Sequence, residues 1–179
     1  MEWQPLLDQL SRHLLGNLNE EDLQDLKEYE NIDGYLGYPP ATTELIELAE
    51  NKLGFELPNS LRSFYLFSDG WHAADQFPIG IANVLPVSEI FLLSTCRMRC
   101  PEIYSDFVEQ NYSDVIFPCS PEARLENCVV IIDLDGNELG FAIRTESSND
   151  WPVVTYNPDG GDWETYTGFF ELMSDGLKD

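Results

Sequence analysis

Leu6, Leu10 and Leu14 recur every fourth position near the start of the chain, with Leu7 and Leu15 beside them. This spacing predicts an amphipathic helix over residues 3 to 15, in which Pro5 is tolerated in the first turn and Gly16 stops the run. A shorter helix follows from about Glu20 to Tyr29, where Leu23 and Leu26 stand among acidic residues. So narrow an apolar face suits an extension packed against a larger body. Residues 28 to 40 are rich in turn formers and end in Pro39-Pro40, which cannot continue a helix.

Helical spacing resumes immediately. Thr42 or Thr43 can cap a third helix, Glu44 and Glu47 sit near its positive end, and Leu45, Ala49 and Leu53 form an i, i+4, i+8 stripe. Gly54 supplies a left-handed stop. The run Leu57-Pro58-Asn59-Ser60 restarts the chain, and Leu61, Phe64 and Tyr65, extended to Ser68, carry a second stripe that ends at Gly70. Two helices with a very short link make a helical hairpin.

Between residues 77 and 90 the pattern becomes strand-like, through Phe77, Ile79, Ile81, Val84, Leu85, Val87 and Ile90. Pro78 and Pro86 remove ladder donors, so these pieces read as edge or irregular strands. A helix is expected around Pro101 to Gln110, with Ile103 and Phe107 inward. Cys128 to Ile132 is a continuous apolar run, the mark of a central strand covered on both faces. Asp135-Gly136 signals a hairpin turn, after which Leu139, Phe141 and Ile143 alternate with Gly140, Ala142 and Arg144. "PVVTYN" predicts a third strand, "PDGGDW" a tight polar turn, and "TGFFELMSDG" a short closing helix with Phe169, Leu172 and Met173 inward. Helices, then an antiparallel meander, then a helix define the α+β class, a mainly antiparallel sheet with helices packed on one side. The expected organisation is an N-terminal helical extension over residues 1–36, packed on an α+β domain over residues 37–179.

Composition adds that 179 residues with 43% hydrophobic and 12% aromatic content form one globular domain. No stretch is apolar enough to span a bilayer. The opening "MEWQPLLDQLSRHLL" lacks the basic region and unbroken apolar run of a signal peptide, so a cytoplasmic location is expected. Charge changes the picture most, because nine basic residues face 33 acidic ones for a formal net charge of -24. Such a field repels nucleic acid and anionic membranes and attracts a basic protein partner. Solubility alone is the plainer explanation, yet this much excess charge in so small a domain begins to oppose compaction.

Catalytic templates find little to use. His13 and His72 are the only histidines, and the chain lacks the G-x-S-x-G, P-loop, G-x-G-x-x-G and H-E-x-x-H patterns. Cys96, Cys100, Cys119 and Cys128 are too irregular for a disulfide framework, and reduced thiols explain them better than a metal site does. "DLDGNE", Asp133 to Glu138, resembles a calcium loop but places Gly136 at position 4, where an EF-hand needs glycine at 6. No cofactor or metal is expected. Trp71, after the hairpin, reads as a core tryptophan that closes the gap to the sheet. Trp163, ringed by Asp159, Asp162 and Glu164, can equally anchor an acidic interface.

The hairpin also carries a family likeness. "YPPATTELIELAENKLGFELPNSLRSFYLFSDGW" resembles the opening of the SUKH superfamily through Glu50, Leu53, Gly54, Leu57, Pro58, Leu61, Arg62, Phe64, Asp69, Gly70 and Trp71. "GFFELM" near the end is similar to that family's C-terminal half, and the likeness covers residues 37 to about 174. It implies an α+β fold without a known catalytic centre, in a family that includes bacterial immunity proteins and fungal regulators of cell-wall synthesis. A non-enzymatic binding role is therefore expected, most simply an immunity protein that neutralises a basic toxin domain such as a nuclease. The rival is an intracellular regulatory adaptor, and an enzyme comes a distant third. The partner-binding candidates are Asp133, Asp135, Glu138, Asp159, Asp162 and Trp163 near the sheet turns, with Asp69 and Trp71 at the hairpin end.

Overall fold

A computed structural model describes residues 2–29, 34–72, 83–95, 125–133, 139–146, 149–157 and 162–177. The leucine stripe folds as α1, Trp3–Asn17, which runs just past Gly16 and buries Trp3, Leu6, Leu7, Leu10 and Leu14. The second predicted helix is α2, Glu20–Tyr29.

The hairpin consists of α3, Thr43–Leu53, and α4, Asn59–Tyr65. Thr42 caps α3, its hydroxyl accepting the Leu45 N–H at 3.3 Å, and Gly54 ends it at φ 86°. The buried face is Ile46, Ala49, Glu50 and Leu53 rather than the stripe through Leu45. A step of four residues overshoots a full turn by about 40°, so a strict i, i+4, i+8 line winds away from the core. Ile46 restores the i, i+3, i+7 path, leaving Leu45 38% and Leu48 64% exposed. Helix α4 ends at Tyr65, short of Ser68. The Ser68 hydroxyl instead donates to the carbonyls of Gly70 and Tyr38, at 2.7 and 3.2 Å.

Five antiparallel strands form the sheet in chain order: β1 Phe91–Leu92, β2 Cys128–Asp133, β3 Leu139–Ile143, β4 Val153–Asn157 and β5 Asp162–Tyr166. A register shift between Val130 and Ile132 marks a bulge in β2. Val129, Ile131, Ile132, Ala142 and Val153 join the core built with the helices. Cys128, Val130, Phe141, Ile143 and Val154 are also buried but lie outside that cluster, so both faces of the central strands are covered, as the unbroken apolar run predicts. Helix α5, Phe169–Asp175, turns Phe169, Leu172 and Met173 inward.

Sequence periodicity does not reveal β5. Asp162 and Glu164 lower its strand propensity, and an edge position tolerates them because among the described residues β5 pairs only with β4 and the side chains of Glu164 and Thr165 face solvent. In the proline-flanked region, Val84 makes single bridges, residues 87–89 form a turn, and the regular strand begins only at Phe91. The expected strand pieces at 77–81, the helix at 101–110, and the turns at Asp135-Gly136 and "PDGG" lie outside the described residues.

Two links hold the layers together. Single bridges run Gly37 to Trp71, Trp71 to Val84 and Val84 to Ile132, and so connect the hairpin end to the central sheet. Trp3 supplies the other: its ring lies 5.3 Å from Phe64, 5.8 Å from Phe169 and 5.1 Å from Phe170, and its indole N–H donates to Ser63 at 2.8 Å.

Candidate functional site

Glu50, buried on the inner face of α3, accepts the Leu57 N–H at 2.7 Å and pairs with the Arg62 guanidinium at 2.6 Å. One carboxylate thereby closes the link between α3 and α4, and its hydrogen bond holds the Arg62 pKa above the ordinary value. Ser60 at the start of α4 donates to Asp150, which also accepts the Trp151 N–H at 2.9 Å. The hairpin polar groups therefore serve the fold.

The two hairpin-end candidates serve it as well. Trp71 is fully buried, with its ring edge-on to Tyr35 at 5.8 Å. The partner-binding assignment of Trp71 is corrected on this ground: an indole with no exposed surface cannot meet a partner. Asp69 is half-buried, and its carboxylate accepts the Val87 N–H at 2.7 Å. Burial raises its pKa, partly offset by that hydrogen bond.

Three of the sheet-side candidates, Asp133, Asp162 and Trp163, fall at one end of the sheet. Register places Asp133, Leu139, Tyr156 and Trp163 in one row across β2 to β5, and Asp162 opposite Asn157 in the next. Asp133 and Trp163 thus share a row by backbone position. Asp135, Glu138 and Asp159, like Cys96, Cys100 and Cys119, lie outside the described residues. Cys128 is buried in β2, where desolvation pushes its thiol up to about 12 and keeps it protonated and unreactive.

Exposed carboxylates outnumber ion pairs among the described residues, although Glu47 and Glu56 lie close enough to Arg62 to raise its pKa. Glu44, Glu47, Glu56, Glu126, Glu146 and Glu164 are exposed, and the single ion pair there is Glu50 with Arg62. Lys52 reaches the Ile90 carbonyl at 3.5 Å, and Arg144 stacks over Phe55 at 4.6 Å, so neither cation is committed to a carboxylate in these contacts. Among the described residues, no three His, Cys, Asp or Glu side chains converge on a possible metal position. No helix there is long and apolar enough to cross a membrane.

Sequence reading places Glu50 and Arg62 in a motif but misses the contact between them. The available signal was an acid on the inward stripe of α3, since a buried carboxylate requires a partner. The same hairpin leads into the family comparison. No curated protein sequence matches the chain. Residues 40–175 match the SMI1 / KNR4 family (SUKH-1), a stretch that takes in the hairpin, its ion pair, the sheet and α5. The helical hairpin locked by Glu50 and followed by an antiparallel sheet is thus the scaffold of a SUKH domain, and the chain belongs to the SMI1 / KNR4 family.

Proposed function

We propose that this chain is a non-catalytic immunity protein that binds and neutralises a basic toxin domain. The observation that carries the reading is the net charge of -24 combined with exposed carboxylates that the described cations leave unpaired. Such a surface accelerates encounter with a lysine- and arginine-rich partner and repels nucleic acid. A nuclease presents a basic groove to its substrate, and a polyanionic protein laid over that groove denies access. Asp133, Asp162 and Trp163, at one end of the sheet, are the contact positions supported by strand register. The second reading, a regulatory adaptor, draws support from the resemblance to a superfamily that includes fungal regulators of cell-wall synthesis.

The test is affinity capture from the native host, including products of neighbouring reading frames, with low-salt and then high-salt washes. Immunity requires a basic toxin domain retained at low salt, whose toxicity co-expression suppresses. Recovery of resident signalling or envelope proteins alone would replace it with the adaptor. With the toxin in hand, reversing the charge of Asp133 and Asp162 together should slow association by about tenfold at low salt and flatten its salt dependence.

A further inference from the structure

Among the described residues the large exposed hydrophobic side chains are Leu45, Leu48 and Leu66, and the first two share α3. Ile46, Ala49, Glu50 and Leu53 turn that helix to the core, so Leu48, 64% exposed, stands near the crest of the opposite face. At about 100° and 1.5 Å per residue, Glu44 and Lys52 fall about 40° to either side of Leu48, one about 6 Å before it and the other about 6 Å after it. Both are exposed. Glu47 lies further round the helix, where its charge reaches Arg62.

Mixed charge on this face disfavours a uniformly basic or uniformly acidic partner, and the order of the charges selects another. An acid and a base at equal distances from a central leucine make a face complementary to its own reversal. A two-fold axis at Leu48 sets two such helices antiparallel. Leu48 then meets its own copy, Glu44 of each chain comes level with Lys52 of the other copy, and Leu45 lies along that lysine's aliphatic stem. Both charges are free to turn to such a partner. Lys52 touches the Ile90 carbonyl only at 3.5 Å, the limit of a hydrogen bond. The Glu44 carboxylate, whose pKa is lowered by hydrogen bonds from its own N–H and from Thr42, is fully exposed and keeps further acceptor sites.

We propose that the outer face of α3 pairs with the same face of a second copy of this chain, as an antiparallel helix pair centred on Leu48. A helix of 11 residues is about 16 Å long, which holds the contact below the roughly 1,200 Å² of stable complexes. The dimer is therefore weak, with a dissociation constant of roughly tens to hundreds of micromolar, and the net charge of -24 on each copy opposes it at low salt. Such pairing goes beyond the immunity reading, whose contact positions lie at the sheet end.

The full chain is followed by sedimentation equilibrium from about 5 μM to about 1 mM in about 0.3 M sodium chloride, where a screening length of about 5–6 Å damps whole-molecule repulsion and spares pairs in contact. Monomer should give way to dimer in the upper part of that range. Leu48→Gln should weaken association by at least about tenfold, because the two-fold axis counts the lost contact twice. Glu44→Lys and Lys52→Glu should each weaken it by about fivefold, and the two combined, which restore opposite signs at an unchanged net charge, should return it to within about twofold. Glu44→Lys is the sharpest single change, since it makes the chain less negative and general repulsion alone would then predict tighter association. A monomer throughout, a dimer indifferent to Leu48→Gln, or a double variant no better than the single ones would each overturn the assignment.

Discussion

At the scale of single residues, two glycines carry different burdens. Gly54 has φ 86° with open space where a side chain would stand, whereas Gly70 has φ 116° and a Cβ there would lie 2.6 Å from Tyr38 and 2.7 Å from the Val84 carbonyl. Gly54→Ala should therefore cost about 1 kcal/mol of stability and Gly70→Ala roughly 3–5 kcal/mol, read from urea denaturation midpoints. Glu50 and Arg62 form a second contrast. Arg62→Met strands a buried carboxylate and should destabilise by roughly 2–4 kcal/mol, and adding Glu50→Gln should recover much of it because the amide oxygen still accepts the Leu57 N–H. A double-mutant cycle measures both effects. Gly54 and Thr42 were legible in the sequence because cap geometry is local. The ion pair was not, since its partners stand twelve residues apart and meet only when the hairpin closes.

At the scale of elements, α1 is an integral layer. Trp3→Ala removes an indole that is 5% exposed and packed on three aromatic rings, so it should cost roughly 3–5 kcal/mol. A chemical melt showing less than about 1 kcal/mol would mean that α1 is only loosely held. The helices, β2, β3 and β4 followed from periodicity and apolar runs. Strand β5 did not, because Asp162 and Glu164 mask a pattern that Trp163, Thr165 and Tyr166 alone could not reveal. The candidate site was legible only as composition: the acids were visible, but the placement of Asp133 and Asp162 at one sheet end depends on strand register.

At the scale of the whole molecule, unscreened repulsion among carboxylates opposes compaction. Raising sodium chloride from about 0.05 to about 0.5 M shortens the screening length roughly threefold and should raise the melting temperature by about 3–6 °C. A flat response in a thermal scan would show that the acids are too widely spaced to interact. The contact between Trp3 and Phe169 has a further consequence for synthesis. The apolar stripe of α1 leaves the ribosome about 165 residues before Phe169 and Phe170, a delay of roughly 10–30 s at ordinary elongation rates. For that interval Leu6, Leu7 and Leu10 have no finished core to enter, and the nascent chain presents them to chaperones until the α5 aromatics emerge.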